Sequence, residues 1–156
     1  MTAVTRIFGP AVLVCAVLAG CSADKQPTQP AAPAPPVAAV PNLTGTQWTL
    51  QEIGGKPVIM NSRATLTFPE AGKAAGNGSC NRFTGSLQVN GNTIKFGPMA
   101  VTRMMCDPEA SRQETEYTKA LGSAQRFEVR DGNLLIYANG TDKPLRFAPA
   151  NSAQGR

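Results

Sequence analysis

The residues best suited to chemistry in this sequence are four cysteines: Cys15, Cys21, Cys80 and Cys106. A cysteine can act as a nucleophile, bind a metal, exchange electrons with a second cysteine or form a structural disulfide. The chain has no histidine, which excludes Ser-His-Asp and Cys-His catalytic groups and argues against a zinc site. We therefore predict no catalytic residues, no metal site and no cofactor.

The N-terminus decides which cysteines remain in the mature protein. Residues 1–20, MTAVTRIFGPAVLVCAVLAG, hold one basic residue, Arg6, before an apolar run. The run is typical of a signal peptide, since its roughly 13 positions are fewer than the about 20 that a membrane-spanning helix needs. It ends in Leu-Ala-Gly-Cys, which resembles a bacterial lipobox. We predict cleavage before Cys21 and its lipidation, with an acyl chain such as palmitate; an ordinary signal peptide or a short anchor helix is the alternative.

Two cysteines remain after these steps. Cleavage discards Cys15 and lipidation uses Cys21, so Cys80 and Cys106 form an even pair in an exported chain. An oxidising compartment favours a disulfide between them, with free thiols or a redox pair as alternatives. Closing a loop of about 26 residues should stabilise the domain by roughly 3.5 kcal/mol.

A change in composition marks the domain boundaries. Residues 21–42 contain the lipidated cysteine and a proline- and alanine-rich stretch, QPTQPAAPAPPVAAVP, that lacks the apolar residues of a core. We interpret it as a tether that lifts a domain off a membrane, although it could be a remnant without selected length. Residues 43–149 then form the folded domain, and residues 150–156 a C-terminal tail.

Strands are predicted where apolar and polar residues alternate between turn-forming residues. Asn-Gly at 90–91 and Asp-Gly at 131–132 each predict a tight hairpin. Phe83, Leu87 and Val89 are expected on one face of a strand. The alternating segments are 46–53, 64–68, 83–89, 93–96, 127–129, 134–136 and 145–147. They predict a β-rich α+β fold: a compact antiparallel sheet or partly closed barrel of about seven or eight short strands with one helix.

The helix is predicted after Asp107, a suitable N-cap that is followed by Pro108. It should run for roughly 14 residues and end near Gly122. Five residues share its apolar face: Ala110, Tyr117, Ala120, Leu121 and Ala124. Because Cys106 stands just before the helix, a disulfide would tie the helix start to the GSCNRFTG segment around Cys80.

Five segments carry a resemblance to a known family: LTGTQW at 43–48, GSCNRFTG at 78–85, IKFGPMAVTRMMC at 94–106, and residues 116–121 and 134–137. In them the chain resembles the META domain family, which includes the HslJ heat-shock proteins. The resemblance covers essentially the whole domain, with Val101 in place of the family's usual small hydroxyl residue. It implies a compact β-rich fold with a helix, a place in the bacterial envelope and a link to stress. It supplies no catalytic mechanism.

Candidate binding residues lie beside the two cysteines. A disulfide would bring Asn81 and Arg103 together, and Arg82 or Arg103 could then grip a carboxylate or phosphate. Alternatively, Asn81 satisfies turn backbone and Arg103 packs its stem beneath a neighbouring methionine. The helix acids, Glu109, Glu114 and Glu116, are interpreted as a solvated face, so no acid/base pair is expected.

The distribution of basic residues along the chain indicates which kinds of partner the protein can bind. The net charge is +5, but the basic residues are scattered and no aromatic residues alternate with them, which argues against nucleic acid. We predict a monomeric, non-enzymatic lipoprotein attached to a membrane through Cys21, most consistent with the outer membrane facing the periplasm. Its domain should bind an envelope protein or polymer, or protect under stress. Alternatives are a carrier of small lipophilic ligands, or a protease inhibitor that presents the loop at 61–64.

Overall fold

Nine strands and one helix make up residues 41–150, the part of the chain that the computed structural model describes. The predicted signal peptide, Cys21, most of the tether and the end of the tail lie outside it. The elements are β1 Gln47–Ile53, β2 Lys56–Pro57, β3 Thr65–Thr67, β4 Lys73–Asn77, β5 Arg82–Asn90, β6 Thr93–Val101, α1 Pro108–Gly122, β7 Ala124–Arg130, β8 Asn133–Ala138 and β9 Leu145–Pro149. Over these residues, no helix has the length and apolar character needed to cross a membrane.

Eight strands form a closed antiparallel barrel. β1, β3, β4, β5, β6, β7, β8 and β9 pair in that order, and β9 pairs back onto β1 from Trp48↔Pro149 to Glu52↔Arg146. The short strand β2 pairs with the end of β1. The predicted β-rich α+β fold is therefore confirmed, and the barrel closes fully because β9 hydrogen-bonds to β1.

Side chains fill the hydrophobic core of this barrel. The largest ones with less than 2% exposure are Tyr117, Phe68, Phe127, Phe147, Leu50, Leu66, Ile94, Leu121, Leu134, Ile136 and Leu145. An eight-stranded barrel has an interior just wide enough for side chains or for one small ligand. Here side chains occupy the space that the carrier hypothesis assigns to a lipophilic ligand.

The helix begins where the sequence predicts. Asp107 is its N-cap, and the Asp107 carboxylate accepts a hydrogen bond from the backbone N–H of Ala110 at 2.8 Å. Ala110, Tyr117, Ala120 and Leu121 are buried as expected. Ala124, which was expected on the helix face, instead begins β7, because the helix ends at Gly122.

Tyr117 fixes the helix against the barrel. Its ring lies 5.9 Å from Phe83 of β5 and 6.0 Å from Phe147 of β9, measured between centroids. Its hydroxyl donates to the carbonyl of Thr65 in β3 at 3.2 Å. Burial raises the pKa of Tyr117 well above its usual range, so the phenol stays a neutral donor. Because one side chain contacts three strands, the helix covers one end of the barrel.

Strand β4 was not predicted from the sequence. Its residues, KAAGN, have low strand propensity, and the pairing with β3 and β5 on either side specifies it instead. A Cβ atom on Gly76 would overlap the Thr65 carbonyl and lie 2.7 Å from Cζ of Phe83. Glycine therefore leaves room for the Phe83 ring that contacts Tyr117.

The neighbouring hairpin has the predicted strand face but extends further than predicted. Phe83 and Leu87 are buried, and Val89 pairs with the buried Ile94 on the same face, although Val89 is 44% exposed at the far end of β5. Strand β6 continues past the predicted end at residue 96 to Val101, because Met99, Ala100 and Val101 pair with the first half of β5.

Replacing Gly76 with alanine should reduce the free energy of unfolding by about 2 kcal/mol or more, because the new methyl group has no space between Thr65 and Phe83. Gly122→Ala is the matched control, since a Cβ atom there meets nothing within 4 Å. The control should be neutral or stabilising by up to about 1 kcal/mol. Urea unfolding of both variants measures the difference; equal stability would contradict the packing role of Gly76.

Candidate functional site

The predicted disulfide is present at the helix-covered end of the barrel. Cys80 and Cys106 are bonded with their Cα atoms 6.1 Å apart. Cys80 precedes β5 and Cys106 precedes α1, so the bond joins the two segments that lead into these elements. Cysteines in a disulfide are not thiolate nucleophiles, and Cys80 and Cys106 here serve structure.

Asn81 is buried beside the disulfide, with 7% of its surface exposed. Its Oδ1 accepts from the Thr102 hydroxyl at 3.0 Å and from the backbone N–H of Met104 at 2.7 Å. Its Nδ2 donates to Oε1 of Glu114 at 2.8 Å and to Sγ of Cys106 at 3.6 Å. These contacts use the full capacity of the amide. Asn81 therefore shapes the site and has no hydrogen bond left for a ligand.

Glu114 holds together the corner of the site that is formed by residues 78–81 and 102–106. Its Oε2 accepts from the backbone N–H of Asn81 at 2.6 Å and of Cys80 at 3.3 Å, in addition to the Asn81 side-chain bond. Gly78 permits the approach, since a Cβ atom there would lie 2.5 Å from Cγ of Glu114. The interpretation of Glu114 as part of a solvated face was wrong, because the fold turns this side of the helix toward the GSCN segment. Glu109 and Glu116 are exposed as expected.

Gln113 holds the segment on the other side of this corner in place. It was not predicted as a site residue from the sequence. It is 6% exposed, its Oε1 accepts from the backbone N–H of Ile59 at 2.7 Å, and its Nε2 donates to the hydroxyls of Ser62 and Ser79. Its position, three residues after Ala110 and four before Tyr117, was a signal that it lies on the buried helix face. Across the described chain, no buried side-chain nitrogen or oxygen is left without a partner.

These contacts hold apart two chain segments, 59–63 and 102–107, with an open groove of about 730 Å³ between them. The lining residues are Ile59, Met60, Asn61, Ser62, Arg63, Asn77, Ser79, Cys80, Arg82, Thr102, Met104, Met105, Cys106, Asp107 and Ala110. The volume lies within the usual range for ligand sites. The loop proposed for protease inhibition forms one wall, and its last residue, Ala64, is fully buried.

Three methionines in the groove are open to solvent. Met105 is 102% exposed, Met60 89% and Met104 59%. They are half of the six large hydrophobic residues exposed in the described part of the chain. A concentration of exposed apolar side chains at one place is typical of an interaction site.

Three arginines lie in or beside the groove. Arg63 and Arg82 line it, and Arg103 is exposed on the same segment as Met104. Between residues 41 and 150, none of the three forms a salt bridge through its guanidinium. Several cations elsewhere are engaged: Lys73 with Glu70, Arg130 with Glu128, Arg146 with Glu52, and Arg126 over the ring of Tyr137. Of the predicted binding residues, Arg82 is therefore in the groove and Arg103 beside it.

Two groove residues hold an unusual backbone conformation. Ser79 has a φ of 128° and Asn61 a φ of 60°. The left-handed region suits asparagine, but a serine there costs of order 1–3 kcal/mol and persists only when its surroundings hold it. Ser79 is held by Gln113 and by its own N–H, which donates to Oδ1 of Asn77 at 2.9 Å. The wall of the groove at Ser79 is therefore held in one conformation by hydrogen bonds.

The described residues contain no group of three or more histidine, cysteine, aspartate or glutamate side chains placed to hold a metal ion. Asp107, the one acid that lines the groove, and Glu114, beside the disulfide, already accept backbone hydrogen bonds. The arrangement is suited to binding a partner through charge and apolar contact.

Comparison with known proteins gives a family and a fold. The model of the META domain matches residues 41–152. None of the curated proteins matches the chain. Among solved structures, an NMR structure of a protein from Burkholderia xenovorans is similar, with 24% identity, a TM-score of 0.59 and coverage of 81% of this chain and 97% of that one. A second NMR structure is 23% identical, with a TM-score of 0.56 and coverage of 69% and 91%. At these identities the two structures show a shared fold.

Replacing Glu114 with glutamine should lower the free energy of unfolding by about 2–3 kcal/mol, since an amide cannot accept all three hydrogen bonds and presents N–H groups to N–H donors. Glu116→Gln makes the same charge change on the exposed side of the same helix and should change stability by less than about 0.5 kcal/mol. Chemical denaturation of both variants tests this. Similar losses would mean that charge, and not the hydrogen bonds at Asn81, decides the effect.

Proposed function

The chain belongs to the META domain family, and we propose that it is a non-enzymatic, lipid-anchored module of the bacterial cell envelope that binds a partner through the groove between residues 59–63 and 102–107. The observation that carries this proposal is the combination of unpaired arginines and exposed methionines on a braced wall. Exposed apolar side chains grouped at one place are typical of an interaction site, and a guanidinium without an ion pair can bind a carboxylate or phosphate.

Several features support binding over catalysis. The chain has no histidine, both domain cysteines are in a disulfide, and the partly buried Glu114 accepts three hydrogen bonds. Turnover of an envelope substrate by the purified protein, lost in a groove variant, would overturn the non-enzymatic assignment. The likeness to the heat-shock members of the family makes a protective role under stress the natural context for such binding.

The proposed location rests on the sequence before the domain. The lipobox-like Leu-Ala-Gly-Cys would place a lipid on Cys21, and the tether would let the domain extend into the periplasm from the outer membrane. The domain itself begins to pack at Leu43, which is 5% exposed, soon after the tether ends.

The anchor is tested by Cys21→Ala. This change should move the protein from the membrane fraction to the soluble fraction, or leave it uncleaved, because the acyl chains have no attachment atom. Cys15→Ala is the control, since Cys15 lies inside the apolar run and should leave fractionation unchanged. Western blotting of separated fractions and the mass of the mature N-terminus measure the result. Normal lipidation of the Cys21→Ala chain would contradict the assignment.

The groove is tested by photocrosslinking in living cells. A photoreactive residue at Arg82 should give a recurrent product, and one at Lys95, an exposed cation outside the groove, should not. Mass spectrometry identifies the products. If both positions gave the same products, or neither gave any, the groove would not be the binding surface.

A further inference from the structure

The groove presents two chemistries side by side, cationic guanidinium groups and apolar thioethers. We infer that its occupant is a polypeptide segment that carries carboxylates next to apolar side chains. This inference rests on the proposed function, that the groove binds a partner, and specifies what kind of partner fits.

The charges favour carboxylates. Arg63 and Arg82 line the groove without an ion pair within residues 41–150, and the N-terminus of α1 adds partial positive charge at Ala110. Asp107 is the one acid among the lining residues, and its carboxylate is occupied by the Ala110 N–H. A guanidinium presents paired donors that match a carboxylate, so aspartate or glutamate side chains are suitable ligands.

The methionines in the groove favour a polypeptide over other anionic polymers as the ligand. Met60, Met104 and Met105 offer flexible, polarizable side chains that adapt to apolar surfaces of varied shape. A sugar or phosphate polymer would satisfy the arginines but leave these thioethers against water. A peptide with alternating acidic and apolar residues satisfies both.

The position of the groove argues against the anchoring membrane as its occupant. The tether joins the domain at Pro41–Leu43, against Gly72 and Leu87. The groove lies at the other ends of the same strands, at Asn77 of β4 and Arg82 of β5. At about 3.3 Å per residue, Arg82 and Leu87 alone are roughly 17 Å apart along β5. The groove therefore faces away from the point of attachment, and its concave shape suits a chain segment better than a flat bilayer.

The walls are ordered before any ligand arrives. Gln113 holds the 59–62 segment, and Asn81 with the disulfide holds the segment from Thr102 to Cys106. Binding then costs little ordering of the protein, which leaves more of the contact energy for affinity.

The test uses the full chain as isolated from cells and three short fluorescent peptides of equal length. One alternates glutamate with leucine, the second has glutamine in place of glutamate, and the third has serine in place of leucine. Fluorescence anisotropy should show the first peptide binding at least about tenfold more tightly than either of the others, since each loses one class of contact.

Variants of the protein connect that binding to the groove. An Arg63→Gln, Arg82→Gln double variant should weaken binding of the glutamate–leucine peptide by about tenfold and leave the glutamine peptide unchanged. Lys95→Gln removes an unpaired cation outside the groove and should have no effect. Equal affinity for all three peptides would overturn the inference.

Methionine oxidation gives a second readout that does not depend on mutation. Dilute hydrogen peroxide transfers one oxygen atom to a thioether, giving methionine sulfoxide and water. The bound glutamate–leucine peptide should slow oxidation of Met60, Met104 and Met105 by at least about twofold. Met99, which packs against the core, is the internal reference. Protection absent from the three groove methionines would contradict occupancy of the groove.

Vesicles of phosphatidylglycerol and phosphatidylcholine separate this inference from the proposed function. Binding to these vesicles but to no peptide, with loss in the Arg63, Arg82 double variant, would overturn the polypeptide assignment while supporting a binding groove. Failure of every probe, together with no Arg82 crosslink in cells, would overturn both.

Discussion

The architecture of the site depends on the carboxylate of Glu114, which accepts three hydrogen bonds from the segment beside the disulfide. Glu114 is partly buried, and N–H groups of Cys80 and Asn81 replace part of the water around its carboxylate. Asn81 extends this hydrogen-bond network, because its Oδ1 accepts from the Thr102 hydroxyl and from the backbone N–H of Met104. One wall of the groove is therefore positioned by hydrogen bonds that begin on the helix, and the disulfide covalently joins the same two segments.

The helix can supply these contacts only because it is fixed against the barrel. Tyr117 contacts β3, β5 and β9 at once, and Gly76 leaves space for the Phe83 ring beneath it. Gln113 and Glu114 follow one another on the helix and point to different partners, so one helical turn orders both groove walls. The same residues therefore stabilise the fold and position the groove, so we expect a substitution among them to alter the groove as well.

The helix-covered end of the barrel combines cationic and apolar groups. Elsewhere on the barrel some cations contact acids or an aromatic ring, as Arg130, Arg146 and Arg126 do. At the helix-covered end, Arg63 and Arg82 have no such partner within the described chain and stand beside exposed methionines. Three of the six large hydrophobic residues exposed in the described chain lie beside these arginines, and this grouping, more than the missing ion pairs, indicates a binding surface.

The sequence by itself determined the strand-rich fold, the helix start at Asp107 and the pairing of Cys80 with Cys106, since periodicity, capping and cysteine number are local or countable signals. It could not reveal β4, whose alanines and glycine form a strand only because β3 and β5 flank it. Nor could it show that Glu114 bonds to Cys80 and Asn81, or that Arg63 and Arg82 line one groove, because these depend on contacts between residues far apart in the chain. Only the tertiary structure determined the site. Barrel closure and strand register decide which distant residues become neighbours, and no short segment of sequence contains that information.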